Sequence, residues 1–404
     1  MTNDVLPNSP TPRQKMRVAY IDHVAQSSGA EIALARLIDA LHDVDPLVIL
    51  AEDGPLVASL MASGVSVEVL PMRERTRDLR KDRVGSRGLP IAALVDTTAY
   101  AFRLARRLRA LRPDLVHTNS LKAGVYGSLA ARLAGVPVVW HLRDRLAADY
   151  LRRPAVLVVR ALIAILPNSV VVNSEATRAT LWLRKTNAVV VYSPVSAPDD
   201  TQRARRQRTR HDPFVIGMVG RITRWKGQHV LLEAFARAFP GGSEVVVVVG
   251  APMFGAAEAG YAEELREMSR TWGIADRVDF RGFRDDIWAE LSRMDIFVHA
   301  SMTPEPFGQV IVEAMLAGVP VIASAGGGPS EIVTDAVDGL LYPAGDIDAL
   351  AELLQRLRGD SRLRSQLRNN ARIRAERFSP EAAASSVMSL YGLLLASSWP
   401  ARRM

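Results

Sequence analysis

Short apolar runs recur along this chain, and behind most of them apolar positions fall three and four apart. The first run is MRVAYID at 16–22. The stretch after it, SSGAEIALARLIDAL, opens on a glycine turn and continues as an amphipathic helix pattern. Further runs are LVIL at 47–50, VSVEVL at 65–70, DLVHTN at 114–119, PVVWHL at 137–142, SVVVNS at 169–174 and AVVVYS at 188–193. Alternation of this kind predicts parallel strands covered on both faces by crossover helices. At 198–213 the pattern gives way to PDDTQRARRQRTRHDP, a charged, Pro-bounded linker. A second series then begins: FVIGMVG at 214–220, VVVVVG at 245–250, RVDFRG at 277–282, DIFVHA at 295–300 and PVIAS at 320–324. The expected plan is α/β: a disordered polar tail over 1–15, a doubly wound domain over 16–197, a linker over 198–213, a second doubly wound domain over 214–380, and a last helix over 381–404. That helix, in SPEAAASSVMSLYGLLLASSW, is long and apolar enough to need another surface to cover it. Open sheets of this type bind ligands beyond the carboxyl ends of their strands, so two of them facing each other place a ligand in the cleft between.

Composition narrows the class. The chain has 404 residues, 48 % hydrophobic and 23 % charged, enough for two globular domains. It has no cysteine, which excludes disulfides, thiol catalysis and cysteine metal sites. The start, MTNDVLPNSPTPRQK, has no apolar core and is not a signal peptide. The apolar run AVLVVRALIAILP at 155–167 is interrupted by Arg160 and is shorter than the roughly 20 residues that span a bilayer. It reads as a buried helix. A cytoplasmic location is expected, free or peripheral at the inner face of a membrane. The net charge of +8 favours anionic partners: nucleotides, phosphorylated lipids or an anionic membrane surface. No nucleic-acid-binding motif accompanies it. The basic stretch RERTRDLRKDRVGSRG at 73–88 reads as a loop able to meet such a partner or remain solvated.

The chemistry concentrates in TPEPFGQVIVEAMLAGVPVIAS at 303–324, which reads as loop, helix and buried strand. Glu305 precedes the helix and Glu313 lies within it, with the amides of Phe307, Gly308 and Gln309 between them. A glycine-bearing helix N-terminus is a ready anion site. Carboxylates on both sides of it suit a ligand with hydroxyls on both sides of a phosphate, as in a nucleotide-sugar. Taken alone, the pair would sooner read as a helix cap and a solvated charge. The second series opens VGRITRWKGQHVLLEAF, where Arg221 and Lys226 stand between a strand and a helix and can neutralise a diphosphate. This is not a Walker P-loop, because Lys226 is followed by Gly227 and Gln228. Gly29 occupies the first strand-to-helix turn, where a backbone and a phosphate can approach closely. No Gly-x-Gly-x-x-Gly is present, which argues against a dehydrogenase. His117, Asn119 and Ser120 end one strand, and His141, Arg143 and Asp144 end another. Gly250, Ala251, Gly282 and Phe283 follow strands in the second series and can border a base pocket; Gly326, Gly327 and Gly328 form a turn. No His pair has zinc spacing and no Asp-x-Asp stands at a strand end, so no metal site is expected.

Several of these motifs resemble the signature of retaining glycosyltransferase family four. They are Glu305 and Glu313 with seven residues between, Phe307-Gly308 after the first, the Gly318-Val-Pro-Val strand after the second, Gly220-Arg221 followed by Lys226-Gly227, and His141 in VVWHLRD. The resemblance covers nearly the whole chain and is strongest over 214–342. It departs at Ser28, where the family carries the first of two glycines. It implies a GT-B fold whose last helix crosses back to the first domain, and transfer of a hexose from a UDP- or GDP-type sugar to an acceptor glycan, glycolipid or small molecule. In that reading Arg221, Lys226, Glu305 and His141 are catalytic. Gly29, Gly308, Gln309, Val310, Glu313, Gly250, Gly282 and Phe283 bind the donor, and Asn119, Arg143 and Asp144 bind the acceptor. No cofactor or divalent metal is implied. Two rivals stay open on the sequence: an NDP-sugar 2-epimerase of the same architecture, and a non-enzymatic protein binding nucleic acid or anionic membrane through its charge.

Overall fold

The computed structural model describes residues 15–26, 28–73, 91–148, 151–182, 188–198, 212–253 and 255–398. The N-terminal tail, most of the basic stretch 73–88 and most of the linker 198–213 lie outside the described residues. Two fully parallel sheets organise the rest. The first contains β1 (Met16–Asp22), β2 (Val44–Leu50), β3 (Ser66–Val69), β4 (Leu115–Thr118), β5 (Val138–Leu142), β6 (Ser169–Val172) and β7 (Ala188–Val190), in the order β3-β2-β1-β4-β5-β6-β7. The second contains β8 (Val215–Val219), β9 (Val245–Val249), β10 (Val278–Gly282), β11 (Ile296–His299), β12 (Val321–Ser324) and β13 (Leu340–Tyr342), in the order β10-β9-β8-β11-β12-β13. Each order reverses beside its first strand, between β1 and β4 and between β8 and β11. The chain ends of those four strands are therefore where a crevice opens.

Alternation along the strands distributes the core. Val18 and Tyr20 of β1 face one layer, with helix Gly29–Asp39; Ala19 and Ile21 face the other, with helices Ile91–Leu111 and Leu121–Ala134. Tyr20, His117 and His141 share the first face, and two residues further along each strand or its exit lie Asp22, Asn119 and Arg143. The last helix, Pro380–Ser398, follows the second domain in sequence but packs Ala383, Ala384, Val387, Leu390 and Tyr391 into the first domain's core.

The apolar run around 155–167 corrects its sequence reading. Helix Arg153–Ile165 buries Val156 and Ile163, but Leu157, Val158 and Ile165 are exposed. Arg160 does not break a buried rod: its guanidinium donates to the carbonyl of Leu146 at 2.9 Å, and the helix is amphipathic with an apolar outer surface. Helix Ile91–Leu111, on the same side of the sheet, exposes Leu94, Val95 and Phe102.

Candidate active site

The loops after β8 and β11 bring the first set of functional groups together. Lys226 ends a short 3-10 turn, Arg224–Lys226, and its Nζ lies 2.5 Å from Oε1 of Glu305. The same oxygen accepts from His299 Nε2 at 2.9 Å and from the Ser301 hydroxyl. A carboxylate only accepts, so His299 donates through Nε2; its Nδ1 lies 3.2 Å from the Ser324 hydroxyl. Burial alone would raise the Glu305 carboxyl. Lys226 and His299 outweigh it and hold the group well below the usual carboxylate range. One oxygen is thus anchored by three donors, while among the described residues Oε2 takes none. His299 and Ser301 were not singled out from the sequence. Their signal was the polar pair closing the apolar run DIFVHAS at a strand's carboxyl end.

Glu305 leads directly to the N-terminus of helix Gln309–Leu316, whose N-cap Gly308 has φ +110°. The first-turn amides have no helical carbonyl behind them and remain available to an anion. The Glu305 loop is braced by the glycine turn: Gly328 N donates to Glu305 O at 2.9 Å, and Glu305 pairs with Gly327 as an isolated parallel bridge.

Beside it, the ends of β8, β9 and β10 are all glycine. Gly220, Gly250 and Gly282 have positive φ, and a Cβ at Gly250 would stand 1.9 Å from the Gly220 carbonyl oxygen. The space this leaves is a cavity of about 250 Å³ lined in part by Ile222, Gly250, Ala251, Arg266, Phe280 and Gly282. It is large enough for a flat heterocycle. Phe283 is not part of its lining and is 60 % exposed, against the sequence expectation. Arg221, expected with Lys226 to neutralise a diphosphate, has its guanidinium paired with Glu258 at 3.3 Å, while Lys226 pairs with Glu305.

The first domain contributes a second polar set. Asn119 donates to Asp22 Oδ2 at 2.6 Å and accepts from Arg143 Nε at 2.8 Å; Arg143 also reaches Ser193 Oγ at 3.2 Å. Burial lowers the Arg143 guanidinium to about 10, with Asp22 and Glu31 opposing. Burial, helped by the Asp22 charge, lifts Glu31 to about 7. His141 Nδ1 lies 3.0 Å from His117 Nε2, and burial, then Arg143, push its pKa well below the ordinary histidine value. His141 Nε2 and Arg143 Nη2 are buried without a hydrogen-bond partner. A ligand could satisfy both, since such atoms are costly to leave unpaired. Asp144 sits half-buried just beyond Arg143.

The two sets meet across the cleft. Glu313 bonds Arg36 of helix Gly29–Asp39 at 3.1 Å; burial raises its carboxyl and Arg36 offsets part of that. Gln309 Nε2 donates to Gly29 O at 2.7 Å, and Val310 beside it is partly buried. Glu331 accepts from the amides of Glu175 at 2.8 Å and Ala176 at 2.7 Å. Arg36 was also missed in sequence, and Glu331, which follows the glycine turn, was given no role of its own. Nothing local marks a residue whose partner lies in the other domain. Among the described residues no three His, Asp or Glu side chains converge to hold a metal ion.

Comparison with known proteins agrees with this architecture. Residues 199–374 match the model for Glycosyl transferases group 1, and residues 29–194 match that for a Glycosyl transferase 4-like domain. A lipopolysaccharide core biosynthesis glycosyltransferase, LpsD of Rhizobium meliloti, is 26 % identical over 93 % of this chain and 98 % of its own. A D-inositol 3-phosphate glycosyltransferase of Kribbella flavida is 31 % identical over 69 % of this chain and 70 % of its own. The crystal structure of HepE from Anabaena in complex with UDP and glucose superposes with a TM-score of 0.79 at 28 % identity, over 93 % of this chain and 99 % of that one. With both halves matched in order and the two-sheet cleft in place, the chain belongs to the group 1 glycosyltransferases and is a glycosyltransferase of GT-B fold.

Proposed function

We propose that this enzyme transfers a hexose from a nucleoside-diphosphate sugar, with retention at the anomeric carbon, to an acceptor in polysaccharide or glycolipid biosynthesis. The observation that carries the reading is Glu305, anchored through one oxygen by Lys226, His299 and Ser301 and free at the other, at the mouth of a helix N-terminus. The free oxygen accepts sugar hydroxyls. The diphosphate lies on the amides of Gly308, Gln309 and Val310, with Gly29 opposite, and the base enters the cavity at Gly250 and Gly282. Glu313 takes the ribose hydroxyls. Lys226, and Arg221 once it leaves Glu258, stabilise the charge that develops on the departing diphosphate. That phosphate accepts the proton of the incoming hydroxyl on the same face, so no protein nucleophile and no divalent ion is required. His141 contacts the sugar or the acceptor, and Asn119 and Arg143 lie on the acceptor side. The relatives' names, lipopolysaccharide core among them, favour an envelope glycan or glycolipid as acceptor.

The test is a screen of UDP- and GDP-sugars that follows nucleoside diphosphate release and the fate of the sugar. Slow hydrolysis of one donor in the absence of acceptor is the expected result. Conversion of that donor to its 2-epimer would replace transfer by epimerisation, and no turnover or binding of any donor would sink the reading.

A lipid-borne acceptor also gives the exposed apolar helix faces a use. Leu157, Val158 and Ile165 on one helix and Leu94, Val95 and Phe102 on another are exposed on one side of the sheet, and Arg103, Arg106, Arg152 and Arg153, on or at the ends of the same helices, are exposed too. No helix of the described residues is long and apolar enough to cross a membrane, so this side would lie on the surface. Each basic residue near an anionic leaflet adds about 1 kcal/mol. The chain should float with vesicles rich in anionic lipid and lose most of that binding in Leu157→Glu/Ile165→Glu. Equal flotation of wild type and variant would remove the membrane from the account.

A further inference from the structure

The two glutamates of the donor site are anchored from opposite sides of the cleft. Lys226, His299 and Ser301, which hold Glu305, all belong to the second domain. Glu313 is buried, and among the described residues its carboxylate takes one hydrogen bond, from Arg36 of the first domain: Nη2 to Oε1 at 3.1 Å. Its Oε2 takes none there. A buried oxygen without a donor is costly, so Oε2 is a place for ligand hydroxyls.

Arg36 lies in the last turn of helix Gly29–Asp39, where a solvated cation would merely complement the helix dipole. Instead its side chain is only 16 % exposed and reaches across the cleft. Its Nη1 lies 3.5 Å from the carbonyl oxygen of Pro194, and the next residue, Val195, packs into the second domain's core. About two turns earlier on the same helix, Gly29 O accepts from Gln309 Nε2 at 2.7 Å. The helix therefore docks on Gln309–Leu316 at two points, and both fall on residues of the donor site. The two anchors differ in consequence. Glu305 keeps its aim whatever the first domain does, whereas Glu313 is aimed only while Arg36 lies against it. Without Arg36, burial favours the protonated carboxyl, a weaker acceptor.

We propose that Arg36 is a positioning residue for ribose recognition: it holds one oxygen of Glu313 across the cleft, so that the other is presented to the ribose hydroxyls and the nucleotide is gripped fully only when the two domains are together. The ribose as ligand rests on the nucleotide-sugar reading; the cross-domain anchor does not. Donor affinity is thereby tied to the acceptor domain, through a residue that never touches the reacting atoms.

The test is calorimetric titration of UDP, GDP and their 2′-deoxy and 3′-deoxy counterparts into the full chain. The wild type should prefer its ribonucleotide over at least one deoxy form by about tenfold, the size of one hydrogen bond to a charged group. Arg36→Met keeps the length and removes the charge. It should bring that ratio below about threefold by weakening the ribonucleotide and not the deoxy form, and Arg36→Lys should restore part of it. In turnover, KM for the donor should rise about tenfold with kcat within about threefold, because the ribose is held alike in the bound donor and in the transition state. Glu313→Gln should abolish the same preference, and adding Arg36→Met to it should lower the preference no further. Should Arg36→Met fail to fold, Arg36→Gln, which keeps a donor without the charge, carries the same comparison. A preference that survives the loss of Arg36 overturns the proposal. So does tighter binding of the ribonucleotide, which would make Arg36 a competitor of the ribose, and so does a wild type with no preference. All three leave nucleotide-sugar binding standing. A wild type that binds no nucleotide rejects that reading and the proposal with it. The expected pattern in a protein that turns over no nucleotide-sugar would uphold Arg36 and reject transfer.

Discussion

Glu305→Gln should slow transfer by about a thousandfold, the upper range for removing one charge-stabilising group from an active site. The substitution keeps the shape and changes two things. It removes the counter-charge of Lys226, whose side chain is only 15 % exposed. It also offers an amide that can satisfy at most part of what Oε1 now does for Lys226, His299 and Ser301. The side chain should rotate or withdraw, and the oxygen left for the sugar hydroxyls goes with it. Breaking one side of a buried ion pair costs about 3–5 kcal/mol of stability, because the surviving charge stays in low dielectric. Lys226→Met in the Glu305→Gln background should therefore recover stability without recovering transfer, a non-additive pair. Urea unfolding and single-turnover rates on Glu305→Gln, Lys226→Met and the double variant separate the two effects. A Glu305→Gln enzyme within tenfold of wild type would show that Glu305 holds the loop and not the sugar.

Much of this arrangement was legible in the chain, for a local reason. Strands such as VVVVVG and PVIAS are apolar throughout because parallel sheets are covered on both sides, and their glycine and polar exits mark the ligand edge. β13, at Leu340–Tyr342, escaped because three residues amid Asp, Gly and Pro carry too little period to register. The helix 153–165 was misread because apolar content was taken as burial; the exposed Leu157 and Ile165 show that an apolar side chain can face outward. The motif pointed to Glu305 and Lys226 but not to what holds them. His299 and Ser301 lie close by in sequence, whereas Arg36 meets Glu313 and Tyr391 meets His117 only because the domains face each other and the last helix returns. Pairings across hundreds of residues leave no periodic trace in one sequence.

Gly327→Ala should lower transfer by about a hundredfold while leaving nucleotide affinity within about threefold. The backbone at Gly327 has φ +69°, which costs a non-glycine residue about 1–2 kcal/mol by itself. The added Cβ would also stand 2.3 Å from the Glu305 carbonyl oxygen and 2.9 Å from its amide nitrogen. Those are backbone atoms bridged to this turn, so they cannot swing aside as a side chain end would. The Glu305 loop must shift, and a displacement of about 1 Å at a positioning group costs on the order of a hundredfold in rate. The cavity at Gly250 is built on other strand ends, and the amides after Gly308 are held by the buried helix Gln309–Leu316, so both should still hold a nucleotide. Gly29→Ala makes the contrast: its Cβ would meet only the end of the Gln309 side chain, at 3.0 Å, and that group can turn away. Transfer should therefore fall far less there. Titrating free UDP and GDP into both variants beside turnover decides the matter. Equal loss of nucleotide binding and transfer in Gly327→Ala would mean the turn supports the whole donor site; loss of transfer alone means it is the brace that aims Glu305 at the sugar.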